Sequence, residues 1–532
     1  MSRHAARTAV TALLVPILAG CAGAPLNPVP GAAPYEAELS RAAASMTPAT
    51  MLDRIGVIAH DSMGGRNTPS PGLEMTAEYF ASKYREWGVE PAGENGTYFQ
   101  RYPMVRKMIV QAESWLQSNE DGTITRYPMG EWGFVNRVGS GHAEGPITIF
   151  GGALTAEAIA ATSLEGRIAM LVWDGARAAD WNRWAGAIAQ RGPAAMVILT
   201  NDSATFARML GARSRPGGFQ LDMPSSNPRV EIFLHDNAFR NDPMSANRPD
   251  WNQIRQAQGP VIDAAPDVVR LTAHAVERVE QRITVPNVVG MIRGSDPALA
   301  NEYVVYSAHM DHVGFAGDGV GGCRANPARD GVPADSICNG ADDDASGSTA
   351  VLSIAESFAR LKVKPRRSII VLHVSGEEKG LLGSAWYADH PTVPAAQIVA
   401  NINMDMVGRN NPDSIVVIGK EHSDMGATLA RVNARHPELG LTTSDDLWPQ
   451  ERFYFRSDHY NFARKGVPIL FFFNGVHPQY HRADDHVELI DEDKLSRVSK
   501  IAFSLGAEIA NTAARPQWNP ASYAEIVEGP GR

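Results

Sequence analysis

The chain has 532 residues, 44% of them hydrophobic and 20% charged, and carries a formal net charge of −10. That length exceeds a single simple core and predicts two or more domains of an ordinary globular protein. The acidic balance excludes nucleic acid as the main partner, because phosphate recognition needs a basic surface.

The N-terminus reads as an export leader. Arg3 and Arg7 make a basic start, and Ala9 to Leu18 form an apolar run too short to span a bilayer. The run ends Leu18-Ala19-Gly20-Cys21, which resembles the bacterial lipoprotein box, where the cysteine is lipidated after cleavage. Residues 1–21 are expected to be a signal peptide with Cys21 as the lipidation point; an ordinary secretory leader is the alternative. Either one exports the protein, to the cell envelope as a lipid-anchored species or into the medium. Residues 22–45, rich in Ala and Pro, read as a flexible linker. No later segment is apolar for long enough to form a transmembrane helix.

Tyr79, Phe80, Tyr84 and Trp87 fall at helical spacing, and Gly88 stops that helix. Between 141 and 269 the texture changes. Gly166 to Val172 and Ala194 to Leu199 read as strands, with a helix over Ala185 to Gln190 between them. This stretch lacks clustered His, Asp and Glu, so chemistry is expected elsewhere. From Val285 the pattern becomes strand, loop, helix, repeated. Strands are predicted at Glu302–Ala308, Arg367–Val374, Ile398–Met404 and Val467–Phe473, with helices at Ser346–Leu361 and through Leu495, Val498, Ala502, Leu505 and Ile509. Strands rich in β-branched residues alternating with helices predict an α/β fold with a mostly parallel or mixed central sheet flanked by helices. The domains follow: 46–140 with 270–515 as one discontinuous α/β domain, 141–269 as a β-rich α+β insert, and 516–532 as a C-terminal tail.

The charged residues concentrate at strand ends. His309-Met310-Asp311 follows the first of these strands, and Asp342-Asp343-Asp344 precedes the next helix. Glu377-Glu378 follows the second strand, Asp405 closes the third, and His481 lies beyond the fourth. Ligands of open α/β sheets bind at the carboxyl ends of strands. Imidazole and carboxylate groups without thiolate suit zinc, and a pair of metals needs a shared carboxylate. Asp342 and Asp344 read as turn or capping residues, and His312 as a neighbour of the ligands. Of three cysteines, Cys323 and Cys338 flank a Gly/Pro/Asp-rich loop in an exported chain, which predicts a disulfide.

Five motifs in order, Ser307-Ala308-His309-Met310-Asp311, Asn339 to Gly347, Ser375 to Leu381, Asn403-Met404-Asp405-Met406 and Tyr480-His481, resemble the co-catalytic dizinc aminopeptidases. That family includes bacterial leucyl aminopeptidase, aminopeptidase Y and glutamate carboxypeptidase. The resemblance implies two Zn2+ per chain, held by His309, His481, Glu378 and Asp405, with Asp343 bridging. It implies Glu377 as general base, Asp311 orienting His309, and a cis peptide after Asp343. Tyr454 matches a position where relatives carry a tyrosine that hydrogen-bonds the tetrahedral intermediate. The insert resembles a protease-associated domain. The implied activity is an exported zinc aminopeptidase acting on peptides through a water activated between the metals. A carboxypeptidase or dipeptidase on the same scaffold is the alternative, for which Arg409, Arg452 or Arg456 would grip a carboxylate. Glu451 would hold the free amine in the aminopeptidase. A glutaminyl cyclase is disfavoured by the complete ligand set, as is a non-catalytic, transferrin-receptor-like binding protein.

Overall fold

The computed structural model describes residues 33–175, 178–223, 229–239, 250–317, 322–328, 331 and 333–529. The expected signal peptide, with Arg3, Arg7 and Cys21, lies outside the described residues. No described helix is long and apolar enough to cross a membrane.

A ten-stranded mixed sheet organises the main lobe. Its centre is four parallel strands in the spatial order Ile469–Phe473, Ile398–Met404, Tyr303–His309, Ser368–Val374. All four are buried on both faces, which is why they read as nearly continuous apolar runs. The chain leaves Tyr303–His309 for the strand on one side and returns for the strand on the other. The first strand is therefore a topological switch point, and its carboxyl end opens a crevice. The helices Ala345–Arg360 and Glu492–Asn511 lie almost wholly within the larger core on one face. Asp344 Oδ1 caps the first of them by accepting from Gly347 N at 2.9 Å.

Antiparallel strands finish the sheet. Glu277–Ile292 pairs with Ser368–Val374 and along its length with Phe99–Ile109. These two long strands run out of the main sheet as a ribbon and lead into a second sheet of nine strands. That second lobe has its own two cores, one on each face. It takes in Trp115–Glu120, Thr123–Pro128 and Gly133–Arg137 at one end and Val269–His274 at the other. The expected insert boundaries of 141 and 269 were therefore too narrow. The polar alternation in 115–137 looks the same for an edge of either sheet, and only pairing assigns it. Trp115–Glu120 pairs with Val269–His274, which closes the lobe.

Of the expected linker over 22–45, residues 22–32 lie outside the described residues, and the remainder is corrected. Ala33–Ala42 is a helix, and Tyr35, Leu39 and Ala42, spaced four and three apart, are buried in the main core. Glu38 Oε1 accepts from Lys362 N at 2.7 Å and so fixes the far end of Ala345–Arg360. The Ala and Pro content suggested a tether, but this face has an apolar partner. The C-terminal stretch packs too: Pro520–Ile526 is a helix, and Trp518 Nε1 donates to Gly466 O at 2.8 Å.

Leu39→Ala should therefore lower the unfolding free energy by about 2–5 kcal/mol, the cost of truncating a core leucine. A urea titration reads this directly; an unchanged midpoint would return the segment to the status of a linker.

Candidate metal centre

The four parallel strands end on one edge, and each end or the loop beyond it supplies a ligand-type side chain. His309 is the last residue of its strand. Glu377 and Glu378 open a single turn reached through Gly376, whose φ of 72° sets the reversal. Asp405 directly follows Ile398–Met404, and His481 stands in the loop after Ile469–Phe473. Asp343 comes from the loop before Ala345–Arg360, and its peptide bond to Asp344 is cis.

Asp343 is the geometric centre. Its Oδ1 lies 3.3 Å from His309 Nε2, which is 3.6 Å from Asp405 Oδ1. Its Oδ2 lies 3.2 Å from His481 Nε2, which is 3.1 Å from Glu378 Oε2. Each carboxylate oxygen thus faces a separate group. Ligand atoms around a tetrahedral zinc, with bonds of about 2.0–2.1 Å, stand about 3.3 Å apart. His481 Nε2 and Asp343 Oδ2 are buried, and neither makes a hydrogen bond. Buried polar atoms at ligand spacing without a hydrogen bond fit a cation between His481 and Asp343. Among the described residues, two sets of potential donors lie close enough to share an ion: His312, Asp343, Glu378 and His481, and beside it His309, Glu377 and Asp405.

The electrostatics agree. Burial opposes a charge on His481, yet Asp343 and Glu378 lift its pKa to about 10. Burial raises the Glu377 carboxyl well above its usual range and raises that of Asp405. Burial would raise Asp343 as well, but His312, His309 and His481 around it hold it well below that range. This is a negative field that calls for positive charge.

The neighbours of these groups have defined tasks. His309 Nδ1 meets the main-chain carbonyl of Asp311 at 3.1 Å, while the Asp311 carboxylate stands off at 3.8 Å. Asp311 thus orients His309 through its backbone, not through its side chain as expected. The carboxylate instead accepts from Glu377 N at 3.2 Å and from Thr68 Oγ1 at 2.9 Å, fixing the Glu377 turn. His312 Nδ1 pairs with Glu378 Oε1 at 2.9 Å and aims that carboxylate. A Cβ on Gly340 would lie 2.6 Å from the His312 ring, so this approach requires glycine. Asp342 accepts from Gly408 N, and Asp344 from His309 N and Met406 N besides its cap.

A pocket opens over the centre, lined by His309, Asp343, Glu377 and Asp405 and walled by Phe453, Phe471 and Tyr480. Tyr454 is not in it. Its ring packs edge-on against His422 and Phe455, and its buried hydroxyl has no hydrogen-bond partner. The expectation for Tyr454 is corrected: in the turn Phe453–Phe455 it is Phe453 that lines the pocket. Tyr480, stacked on His481 with centroids 3.9 Å apart, is the tyrosine of the pocket wall. Arg456 reaches the pocket, whereas Glu451 lies 3.5 Å from Arg456 and is not among the lining residues. Arg409 is engaged by Gln479 and Asp485, and Arg452 lies over Phe455.

Several contributors carry no motif. Arg66 is fully buried and donates to the carbonyls of Met310, Asn339 and Gly340, beneath both ligand loops. The preceding Gly64-Gly65 was the available signal, since a Cβ on Gly65 would lie 2.6 Å from the carbonyls of Gly314 and Cys338. Ser457 Oγ donates to Asp405 Oδ2 at 2.9 Å and accepts from Asn403 Nδ2 at 3.1 Å. Asp458 is buried with neither carboxylate oxygen hydrogen-bonded, and burial pushes its carboxyl up to about 7. Cys323 and Cys338 form a disulfide.

Residues 287–506, which contain every one of these ligand-type groups, match the model of Peptidase family M28. Among similar proteins, a probable leucine aminopeptidase of Arthroderma benhamiae is 24% identical over 48% of this chain and 67% of its own length. A probable zinc metalloprotease of Pyrenophora teres f. teres is 24% identical over 45% of this chain and 54% of its own length. Leupeptin-inactivating enzyme 1 of Streptomyces exfoliatus is 30% identical over 27% of this chain and 31% of its own length. The chain thus spans between about a third and two thirds of these curated relatives. Among solved structures, an aminopeptidase from Aneurinibacillus sp. strain AM-1 aligns with 90% of this chain and 97% of its own, at 18% identity and a TM-score of 0.48.

Because the Tyr454 hydroxyl is buried and unpaired, Tyr454→Phe should leave stability unchanged or raise it, and leave peptide turnover within about twofold. Thermal melts and a peptidase assay check both halves.

Proposed function

We propose that this protein is a zinc-dependent exopeptidase, in first place an aminopeptidase, that hydrolyses peptide bonds with Glu377 as general base. The observation that carries the reading is Asp343, whose two oxygens face His309 and His481 at ligand spacing beneath a pocket that also holds Glu377. His309 and Asp405 would hold one zinc and His481 and Glu378 the other, with Asp343 shared. When bound, the ions supply Lewis-acid polarisation of the scissile carbonyl and lower the pKa of water.

The chain's own groups do the rest. Glu377 takes the proton of the attacking water and passes it to the leaving amine. The raised basicity that burial imposes on its carboxylate suits a base that must hold a proton between the two steps. Asp311 keeps Glu377 in place through its main-chain N–H. Tyr480, in the pocket wall, donates to the developing oxyanion, a role closed to Tyr454, which lies outside the pocket. The acidic floor suits a free α-amino group, and the aromatic walls suit an apolar side chain. Arg456 at the wall favours the second reading, a carboxypeptidase that grips a terminal carboxylate.

Three experiments test this. A free-amine peptide should lose residues stepwise from its N-terminus while the N-acetylated peptide stays intact; loss from the other end would establish the carboxypeptidase. Glu377→Gln should retain both metals by elemental analysis yet lose orders of magnitude in kcat, and Tyr480→Phe should lose a factor of about 10²–10³. Chelation should abolish turnover and added zinc restore it; activity that persists without metal removes the mechanism. The same reading includes export by a lipoprotein-type leader, for which acyl labelling that survives Cys21→Ser is the contrary result.

A further inference from the structure

The two halves of the centre are anchored differently. His309 ends a strand of the central sheet, and its N–H is held by Asp344 at 3.2 Å. His481 belongs to no strand or helix. It sits in an irregular loop with φ at 56°, the left-handed region that costs a residue with a Cβ energy and persists only where its surroundings enforce it.

The enforcement comes from Arg324. Its main-chain N–H donates to the His481 carbonyl at 3.0 Å, and its carbonyl accepts from Ala483 N at 3.0 Å. Its side chain adds Nε to the His481 carbonyl at 3.5 Å and a second guanidinium nitrogen to the Tyr480 carbonyl. A further bond runs from Arg482 to Asn326 Oδ1 at 2.8 Å. So the residues that carry one ligand and the pocket tyrosine are paired, main chain and side chain, to the stretch beside Cys323.

Arg324 is itself largely exposed and lies in no helix or regular strand, so it needs an anchor of its own. The adjacent Cys323 supplies one through its disulfide to Cys338. Cys338 is fully buried, and its N–H donates to Gly314 O at 3.0 Å. The next residue, Asn339, is fixed by Arg66 through its carbonyl and by Ala59 and Asp61 through its side chain. Five residues past Cys338 stands Asp343, the shared ligand. The disulfide therefore joins the segment that holds His481 to the rigid base of the bridging loop.

We propose that Arg324, anchored by the Cys323–Cys338 disulfide, is a positioning residue for the His481 half of the metal centre, so that loss of either weakens that site and leaves the His309 half intact. This rests on the two-metal reading above. Breaking the disulfide takes two electrons and two protons from a dithiol reductant, which is itself oxidised to the cyclic disulfide while Cys323 and Cys338 become thiols.

The test is zinc affinity, measured by chelator competition on the oxidised, full-length mature protein. Wild type should release two ions in two resolved steps. His481→Ala and His309→Ala each delete one step and so identify it. Arg324→Ala and the double variant Cys323→Ser/Cys338→Ser should weaken the step that His481→Ala deletes by about 10–100-fold, the usual cost of losing a group that orients a ligand. They should leave the other step within about twofold. Arg324→Lys keeps the main-chain bond and one donor and should lie between. Dithiothreitol treatment of wild type should reproduce the double variant. Equal weakening of both steps would reveal general loosening and overturn the proposal, as would two unaltered steps in Arg324→Ala. A wild-type protein that takes up no zinc would overturn the metal centre itself, and this inference with it.

Discussion

Crowded negative charge is the constraint on which this structure depends. Asp311, Asp343 and Asp405 are buried within one edge of a sheet, with Glu377 and Glu378 half-buried beside them. Such a group repels itself in a medium that screens little. It holds together because nearly every carboxylate accepts from a backbone N–H or a neighbouring side chain. Glu377 N serves Asp311, Gly408 N serves Asp342, and Met406 N serves Asp344. Asp485 in turn accepts from the N–H groups of Asp342 and Asp343. The buried Arg66 supplies positive charge from below, at the cost of a pKa that burial lowers to about 10. What remains unbalanced lines the pocket, the charge that the proposed cations would offset.

The sheet converts this local balance into a rigid geometry. On one face of the parallel strands the apolar pattern is interrupted by Ser307, Asn401 and Asn403. Asn401 Nδ2 donates to Ser307 Oγ, and Ser307 Oγ donates to Asn403 Oδ1 at 2.6 Å. Asn403 continues to Ser457 and thence to Asp405. A hydrogen-bonded chain thus runs through the core to Asp405, with only the Asn401 Oδ1 at its far end left without a partner, and its paired links order the strands against one another. The loops at the strand ends contribute the complementary feature. Arg66, Leu381, Met406 and His481 all take positive φ without being glycine. Residues in that region concentrate where packing over-determines the backbone.

The second lobe is tied to this scaffold by one long antiparallel ribbon. Phe99–Ile109 and Glu277–Ile292 stay paired from the main sheet to the lobe, so the lobe is an outgrowth of the sheet's edge. It keeps separate cores, and among the described residues it contributes none of those that line the pocket over the candidate metal centre.

The candidate site residues stood out in the chain because each sits beside a strand whose apolar run is unmistakable, and the structure gathers them at one edge. The parallel sheet was legible for the same reason, as was the capping role of Asp344 from the small residues after it. The disulfide pair followed from there being only two cysteines besides Cys21. Tyr454 was misplaced because neighbouring residues in a single turn point to different sides, and only packing decides that Phe453 faces the pocket while Tyr454 faces His422. The helix over Ala33–Ala42 was hidden because alanine and proline say nothing of a partner, and the partner lies more than 300 residues away at Lys362. Arg66, Ser457 and Arg324 act through carbonyls and side chains distant in sequence, so no spacing announces them. Local pattern determined which residues bear the chemistry; long-range hydrogen bonding, which exists only once the sheet and loops have closed, decided which residues hold them in place.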